Sequence, residues 1–251
     1  MSTRIKAMVL AAGRGERMRP LTDSTPKPLL NVRGKPLLRW HVDALARGGF
    51  TDIVINTAWL GEQIPAYFGR EPRTESGEAL TIGYSYEGLD FGGALETAGG
   101  IVRVLPALGD LFWVLAGDVY APDFEFSMQA VQRFARSGLL AHLWLVPNPP
   151  HNAKGDFGLG SDARAPGRQL VLNQASVKYT YSTIGLYRRE LFSTPWCDVP
   201  AGNPEGVKTP LAPLLRKAMD NQLISAELYH GAWTDVGTPE RLAQLNDNAT
   251  S

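Results

Sequence analysis

Short hydrophobic runs alternate along the chain with stretches whose apolar residues fall at helical spacing. Residues 5–10 read as a strand that runs into small residues. Over 37–47, Leu38, Val42, Leu45 and Ala46 share one helical face, and Gly48-Gly49 supplies the stop. Asp-Ile-Val-Ile-Asn at 52–56 predicts a short buried strand, 60–68 a short helix interrupted near Pro65, and 80–86 an alternating strand. Helices are expected over 96–105 and 129–136, and strands over 111–115 and 139–146. Such alternation implies an α/β fold with a doubly wound, mostly parallel sheet, whose ligands gather at the carboxyl ends of the strands. That rule puts the loop after residue 10, the end of the 80–86 strand and Asp118 on one rim.

The second half is less regular. Residues 147–167 are rich in Pro, Gly, Asn and Asp, and 178–187 alternate as an antiparallel strand would. A small antiparallel sheet inserted over the same rim is expected there. Helices over 210–219 and from Pro239 should pack outside, and the tail 246–251 should fray. No internal repeat is visible, hexapeptides included.

With 251 residues, 44% of them hydrophobic, one large domain is the simplest fit. The 25 basic side chains balance 25 acidic ones, which argues against a general nucleic-acid or membrane-surface binder. The single cysteine, Cys197, beside Trp196, excludes an intrachain disulfide and reads as a packing residue. His41, His142, His151 and His230 show no metal-ligand spacing. No apolar run reaches the ~18 residues of a membrane span, and the stretch after Arg4 and Lys6 is too short for a signal peptide. A cytoplasmic protein is expected.

Against this balanced background stands one local basic segment: Leu10-Ala11-Ala12-Gly13-Arg14-Gly15-Glu16-Arg17-Met18-Arg19-Pro20-Leu21, then Thr25-Pro26-Lys27-Pro28-Leu29. Small residues let backbone N–H groups converge on a phosphate, and the arginines can neutralise its charge. The Gly-Lys-Ser/Thr ending of a P-loop is missing, and Met18 fills the third-glycine slot of the dinucleotide fingerprint. Gly13-x-Gly15 alone also describes an ordinary strand-to-helix turn with solvated arginines. Lys27 shifts the balance: Pro28 should hold it extended, a defined base for a long cationic arm. Two carboxylates join it. Asp118 follows an apolar strand, and Asp235 lies in Trp233-Thr234-Asp235-Val236-Gly237-Thr238-Pro239. Either could merely cap a turn or start a helix; together, beside a triphosphate, they suit magnesium, which takes one or two carboxylates plus phosphate oxygens.

These segments resemble the signature of the sugar-phosphate nucleotidylyltransferases, roughly L-A-A-G-x-G-x-R-(M/L)-x-P-L-T, then P-K-P-(L/M), then G-D after a strand and W-x-D-(V/I)-G-T-P near the end. The resemblance implies a Rossmann-like nucleotidyltransferase fold and attack of a sugar 1-phosphate oxygen on the α-phosphorus of a nucleoside triphosphate, with pyrophosphate leaving. It implies Mg²⁺ on Asp118 and Asp235, Lys27 at the reacting centre and Arg14 on the β- and γ-phosphates. Ala11, Ala12, Gly13 and Gly15 would line the nucleotide, with Glu87 reading the base edge and Gly99 against the base. Since Glu87 could accept from uracil or guanine, it leaves UTP and GTP open. Leu95-Glu96-Thr97-Ala98-Gly99-Gly100, Asn148-Pro149, Gly155-Asp156-Phe157 and Lys208 ahead of Leu211-Ala212-Pro213 resemble the members that uridylylate N-acetylmuramic acid 1-phosphate in bacterial cell-wall recycling. By that likeness Glu96, Asp156, Gly158 and Thr183 lie near the sugar and Lys208 near its phosphate; each also reads as a turn, strand or surface residue.

The expected organisation is a single domain over 1–251: 1–120 mainly nucleotide-binding, 121–235 mainly sugar-binding, 236–251 a helix and tail. Expected partners are UTP and a sugar 1-phosphate, with no nucleic acid or membrane, in a monomer or homodimer. Competing readings are a uridylyl- or guanylyltransferase for mannose, heptose or glucose 1-phosphate, and a non-catalytic nucleotide-sugar sensor. Retention of Lys27, Asp118 and Asp235 weighs against the sensor.

Overall fold

The computed structural model describes residues 4–247. Its elements, in chain order, are β1 (Lys6–Ala11), β2 (Asn31–Val32), β3 (Lys35–Pro36), α1 (Leu37–Arg47), β4 (Asp52–Thr57), α2 (Gln63–Phe68), β5 (Thr81–Tyr86), α3 (Glu87–Phe91), α4 (Glu96–Val104) and β6 (Leu111–Ala116). There follow β7 (Val119–Tyr120), α5 (Met128–Ala135), β8 (Ala141–Val146), β9 (Gly158–Ser161), β10 (Gln169–Leu172), β11 (Thr180–Arg188), α6 (Leu211–Asp220), β12 (Ile224–Leu228), β13 (Thr234–Asp235) and α7 (Pro239–Asp247). A mixed sheet runs in the order β5-β4-β1-β6-β11-β8-β12-β10-β9, and two small antiparallel pairs, β13-β7 and β2-β3, stand apart from it. The α/β class expected from the alternation is the one observed.

The chain divides into two compact units. The first holds the chain up to Leu95, Leu115–Ser127 and the chain from Gly231 onward. In it β4 lies between β1 and β5, both partners parallel, with Ala7 opposite Ile53 and Asp52 opposite Thr81. β1 and β4 are buried almost throughout, which is why they read as unbroken apolar runs. A core cluster of Met18, Leu30, Val32, Leu37, Tyr120, Val236 and Leu242 ties the segment after β1 to α1, β7 and α7. Met18, fully buried there, explains the missing third glycine: the chain needs an apolar anchor at that point, not a close helix approach.

The second unit holds Glu96–Val114 and Met128–His230. β8 is its axis, antiparallel to β11 and parallel to β12. β10 joins β12 to β9 through antiparallel pairings. The antiparallel strands expected in the second half are thus present, and they extend the large sheet. Trp113 stacks near Trp144, ring centroids 5.1 Å apart, and Phe112 packs on Tyr187 and Phe192.

Three local expectations change. The helix around Pro65 is not interrupted; it starts at Gln63, so Pro65 sits in the first turn, where a missing N–H costs nothing. Lys27 is not extended: Pro26 is, and Lys27–Leu29 form a 3-10 turn closed by Leu30 N–H on Lys27 O. Asn246 and Asp247 do not fray but end α7, and Asn246 Oδ1 accepts from Arg33 N at 2.7 Å; residues 248–251 of the expected tail lie outside the described residues. Among the described residues no helix is long and apolar enough to cross a membrane.

Candidate active site

In the first unit, β1 ends at Ala11 and the chain turns through Gly13-Arg14-Gly15 into a 3-10 turn, Glu16–Met18. Gly15 takes φ 67°, and a Cβ there would press on Thr22 and Lys27, so the loop is folded down on the lysine it was read with. Among the described residues, the N–H groups of Gly13, Arg14 and Gly15 have no partner. Unpaired N–H groups at the end of a buried strand are the donors an anion would take. Ala11, expected with them, is different: its N–H already donates to Asn56 Oδ1 at 2.8 Å. Ala12 is buried beside it.

Lys27 is buried, 7% exposed, and its Nζ donates to Asp118 Oδ2 at 2.7 Å. Asp118 follows β6, in the Gly117-Asp118 turn before β7. β7 pairs with β13 so that Asp235 faces Val119, and Val236 N donates to Asp118 O at 3.0 Å. Residues far apart in sequence are therefore one register step apart in space. Asp235 Oδ2 accepts from Arg241 Nη1 at 2.8 Å. Each acid is thus met by a cation. The donor set fits a hard cation: the carboxylate of Asp118, in the turn before β7, and that of Asp235, on the paired strand β13, with the lysine beside them. Among the described residues no group of three or more His, Cys, Asp or Glu could hold a metal, so a Mg²⁺ here would complete its shell with phosphate oxygens and water.

The arginines separate. Arg14 is spoken for by the protein: Nη1 donates to Thr22 O at 2.9 Å, Nη2 to Asp23 at 3.0 Å, and the guanidinium lies 3.8 Å over the Trp59 ring. Trp59 Nε1 donates to the same Thr22 carbonyl. Arg17 instead reaches toward Gly237: a Cβ built there would lie 3.2 Å from Arg17 Nη2 and 2.9 Å from Asp235 Oδ1. The loop pattern held both arginines, and nothing in it distinguished them.

Glu87, expected at the base edge, is wholly buried at the start of α3. Oε1 accepts from Asn56 Nδ2 and Oε2 from Leu95 N, each at 2.8 Å. Its carboxylate thereby braces the strand ends that carry the loop. Asn56, which the sequence reading passed over as a strand residue, is the link.

His41 on α1 reinforces the carboxylate turn. Its Nε2 must carry a proton, since the Val119 carbonyl 2.8 Å away only accepts. Burial pushes its pKa down to about 4. An unfolded histidine titrates near 6.5, so the unfolded chain binds more protons between those values. This contribution is complete above pH about 6.5 and is lost as pH falls toward 4. It amounts to about 2 kcal/mol at pH 5. Urea unfolding at pH 7.5 and pH 5 should show more than that loss in the wild type and a loss about 2 kcal/mol smaller in His41→Gln; the part left in the variant comes from His142, whose burial pushes it down likewise to about 4.

In the second unit, Glu96 opens α4 exposed and at φ 62°, a left-handed conformation that favours glycine. Gly99 is buried in α4; its N–H donates to Thr209 O and its carbonyl accepts from Asn203 Nδ2, which docks the segment bearing exposed Lys208 on this turn. Glu96, Gly99 and Lys208 therefore belong to one locality. Asp156 Oδ2 accepts from Tyr181 N at 2.8 Å. Gly158 is buried at the start of β9, tight against Ala175. Thr183 sits at φ 66° where the β11 register shifts, a rare conformation for a β-branched residue and one that re-aims its side chain. Cys197 is buried, as read.

Comparison with known proteins fits this geometry. A family model described as nucleotidyl transferase matches residues 6–162. An N-acetylmuramate alpha-1-phosphate uridylyltransferase of Neisseria meningitidis serogroup B is 46% identical over 242 residues, 96% of each chain. A UTP–glucose-1-phosphate uridylyltransferase of Synechocystis is 38% identical over 62% of this chain and 40% of its own length. Among solved structures, a UTP-bound UGPase from Acinetobacter baumannii superposes with a TM-score of 0.73 at 16% identity, covering 98% of this chain and 93% of that one. The chain belongs to the nucleotidyl transferase family, among its sugar-1-phosphate nucleotidylyltransferases.

Proposed function

We propose that this enzyme transfers UMP from UTP to N-acetylmuramic acid 1-phosphate, giving the UDP-sugar and pyrophosphate, in the recycling of cell-wall sugars in the cytoplasm. The observation that carries the choice of substrates is the 46% identity to the Neisseria enzyme over 96% of both chains. The mechanism is an in-line displacement by an acceptor that is already an anion, so no general base is required. The barrier is repulsion between two anions and charge gathering on the leaving group, which positioned cations relieve. Mg²⁺ on Asp118 and Asp235 would supply charge neutralisation at the α-phosphate. Lys27, fixed by the 3-10 turn and Asp118, holds phosphate oxygens at the reacting centre. The free N–H groups of Gly13, Arg14 and Gly15 orient the triphosphate. Of the loop cations, we place Arg17 on the departing pyrophosphate and assign Arg14, clamped by Trp59 and Asp23, to holding the loop. Glu96, Thr183 and Lys208 are proposed for the sugar and its phosphate, and the unusual backbone at Glu96 and Thr183 supports that assignment. Gly99, Asp156 and Gly158 would shape the pocket through backbone they hold in place.

The test is pyrophosphate release with Mg²⁺, crossing UTP, GTP, dTTP and CTP with the 1-phosphates of N-acetylmuramic acid, N-acetylglucosamine, glucose and mannose. UTP with N-acetylmuramic acid 1-phosphate should dominate. Dominance of another pair refutes the substrate assignment, and silence throughout refutes the transferase mechanism.

A further inference from the structure

We propose that Arg241 is a positioning residue that holds the Asp235 carboxylate in its metal-binding rotamer; this rests on the reading of Asp235 as a metal ligand. Arg241 stands in the first turn of α7, and its Nη1 donates both to Asp235 Oδ2 at 2.8 Å and to the Asp235 carbonyl at 2.9 Å. One guanidinium nitrogen therefore fixes both the side chain and the backbone of the same residue. The contact is sheltered, with side chains 15% and 25% exposed, so solvent screens it little. It is also directional. Oδ2 is engaged, while Oδ1 lies toward Gly237, within 2.9 Å of where a Cβ would sit. That same Cβ would fall 2.7 Å from Arg241 Nη2. Gly237 is thus the space that lets the guanidinium reach across the turn, which gives the glycine of the Asp-Val-Gly-Thr-Pro run a physical reason. A carboxylate that loses this contact gains rotamer freedom, and partners of metal ligands typically set affinity by roughly 10- to 100-fold. Lysine has one charge but no planar fork, so it restores only part of the effect.

The experiment is a titration of the apoenzyme with Mn²⁺, reading bound metal by electron paramagnetic resonance, for wild type, Arg241→Ala, Arg241→Lys and Asp235→Asn, with urea midpoints for each. The Mn²⁺ Kd should rise roughly 10- to 100-fold in Arg241→Ala and less in Arg241→Lys. Should the alanine variant fail to fold, the lysine variant carries the comparison. Wild-type affinity in both Arg241 variants, with Asp235→Asn weakened, overturns this inference alone. Tighter binding in Arg241→Ala would make the arginine a competitor for the carboxylate and also overturns it. Unchanged affinity in Asp235→Asn, or no saturable Mn²⁺ on the wild type, removes the underlying reading of Asp235.

Discussion

Lys27→Ala should lower kcat by about 10²- to 10³-fold while the urea midpoint shifts by no more than about 1 kcal/mol. The two halves of that expectation have separate causes. Catalytically, the lysine is a fixed cation at the point where two anions must meet. Donors pre-aimed at developing charge are worth that factor when removed singly. Structurally, the substitution deletes the buried partner of the pair and leaves the exposed one. Lys27 is 9% exposed by side chain and Asp118 41%, so the surviving carboxylate faces water and is not stranded. Asp118→Asn should cripple turnover comparably but cost more stability, because it leaves the buried ammonium facing a neutral amide. Pyrophosphate release and unfolding on the same preparations check both halves. Near-normal kcat in Lys27→Ala would take the lysine out of the mechanism, and a collapse of stability would make it a structural residue.

How far such roles could be read in advance depended on where each residue's partners sit. β1 and α1 were legible because their signals are local: a buried run and a helical face with a glycine stop. Strand β9 was hidden in a Pro- and Gly-rich stretch and β10 follows just after it; β10 takes its shape from pairing with β12, and β9 from pairing with β10, which no local periodicity encodes. The same division runs through the site. Lys27, Asp118 and Asp235 each sit in a recognisable short motif, and the β7–β13 pairing brings the two acids together. Arg14 and Glu87 show the opposite case. An arginine in a phosphate loop and a glutamate at a strand end look available until their partners are known. Those partners, Trp59 for the one and Asn56 and Leu95 for the other, come from other segments.

Glu87 also sets the second large effect: Asn56→Ala should destabilise the protein by about 3–4 kcal/mol. Asn56 is 3% exposed and bridges two obligate groups. Ala11 N–H needs an acceptor, which fixes Oδ1 toward it and turns Nδ2 toward Glu87. Alanine takes the acceptor from a buried amide and a donor from a buried carboxylate, at about 1–3 kcal/mol for the first and more for a charged group. Glutamine at 87 would not be a neutral replacement. Both of these partners of the carboxylate are donors, so an amide must set its NH₂ against one of them. Asn56→Asp sharpens the test, because it sets a second acid against Glu87 in the same dry space. One of the two would then titrate well above its unfolded value of about 4. A raised folded pKa gives stability that is present below the unfolded pKa and lost as pH rises through the folded one. The aspartate variant should therefore be least stable near neutrality and recover on acidification, the reverse of the trend His41 imposes on the wild type. If Asn56→Ala unfolds at the wild-type midpoint, or Asn56→Asp shows no recovery below pH 6, the bridge does not carry the strand ends. Glu87 would then be free to be read again as a contact for the base.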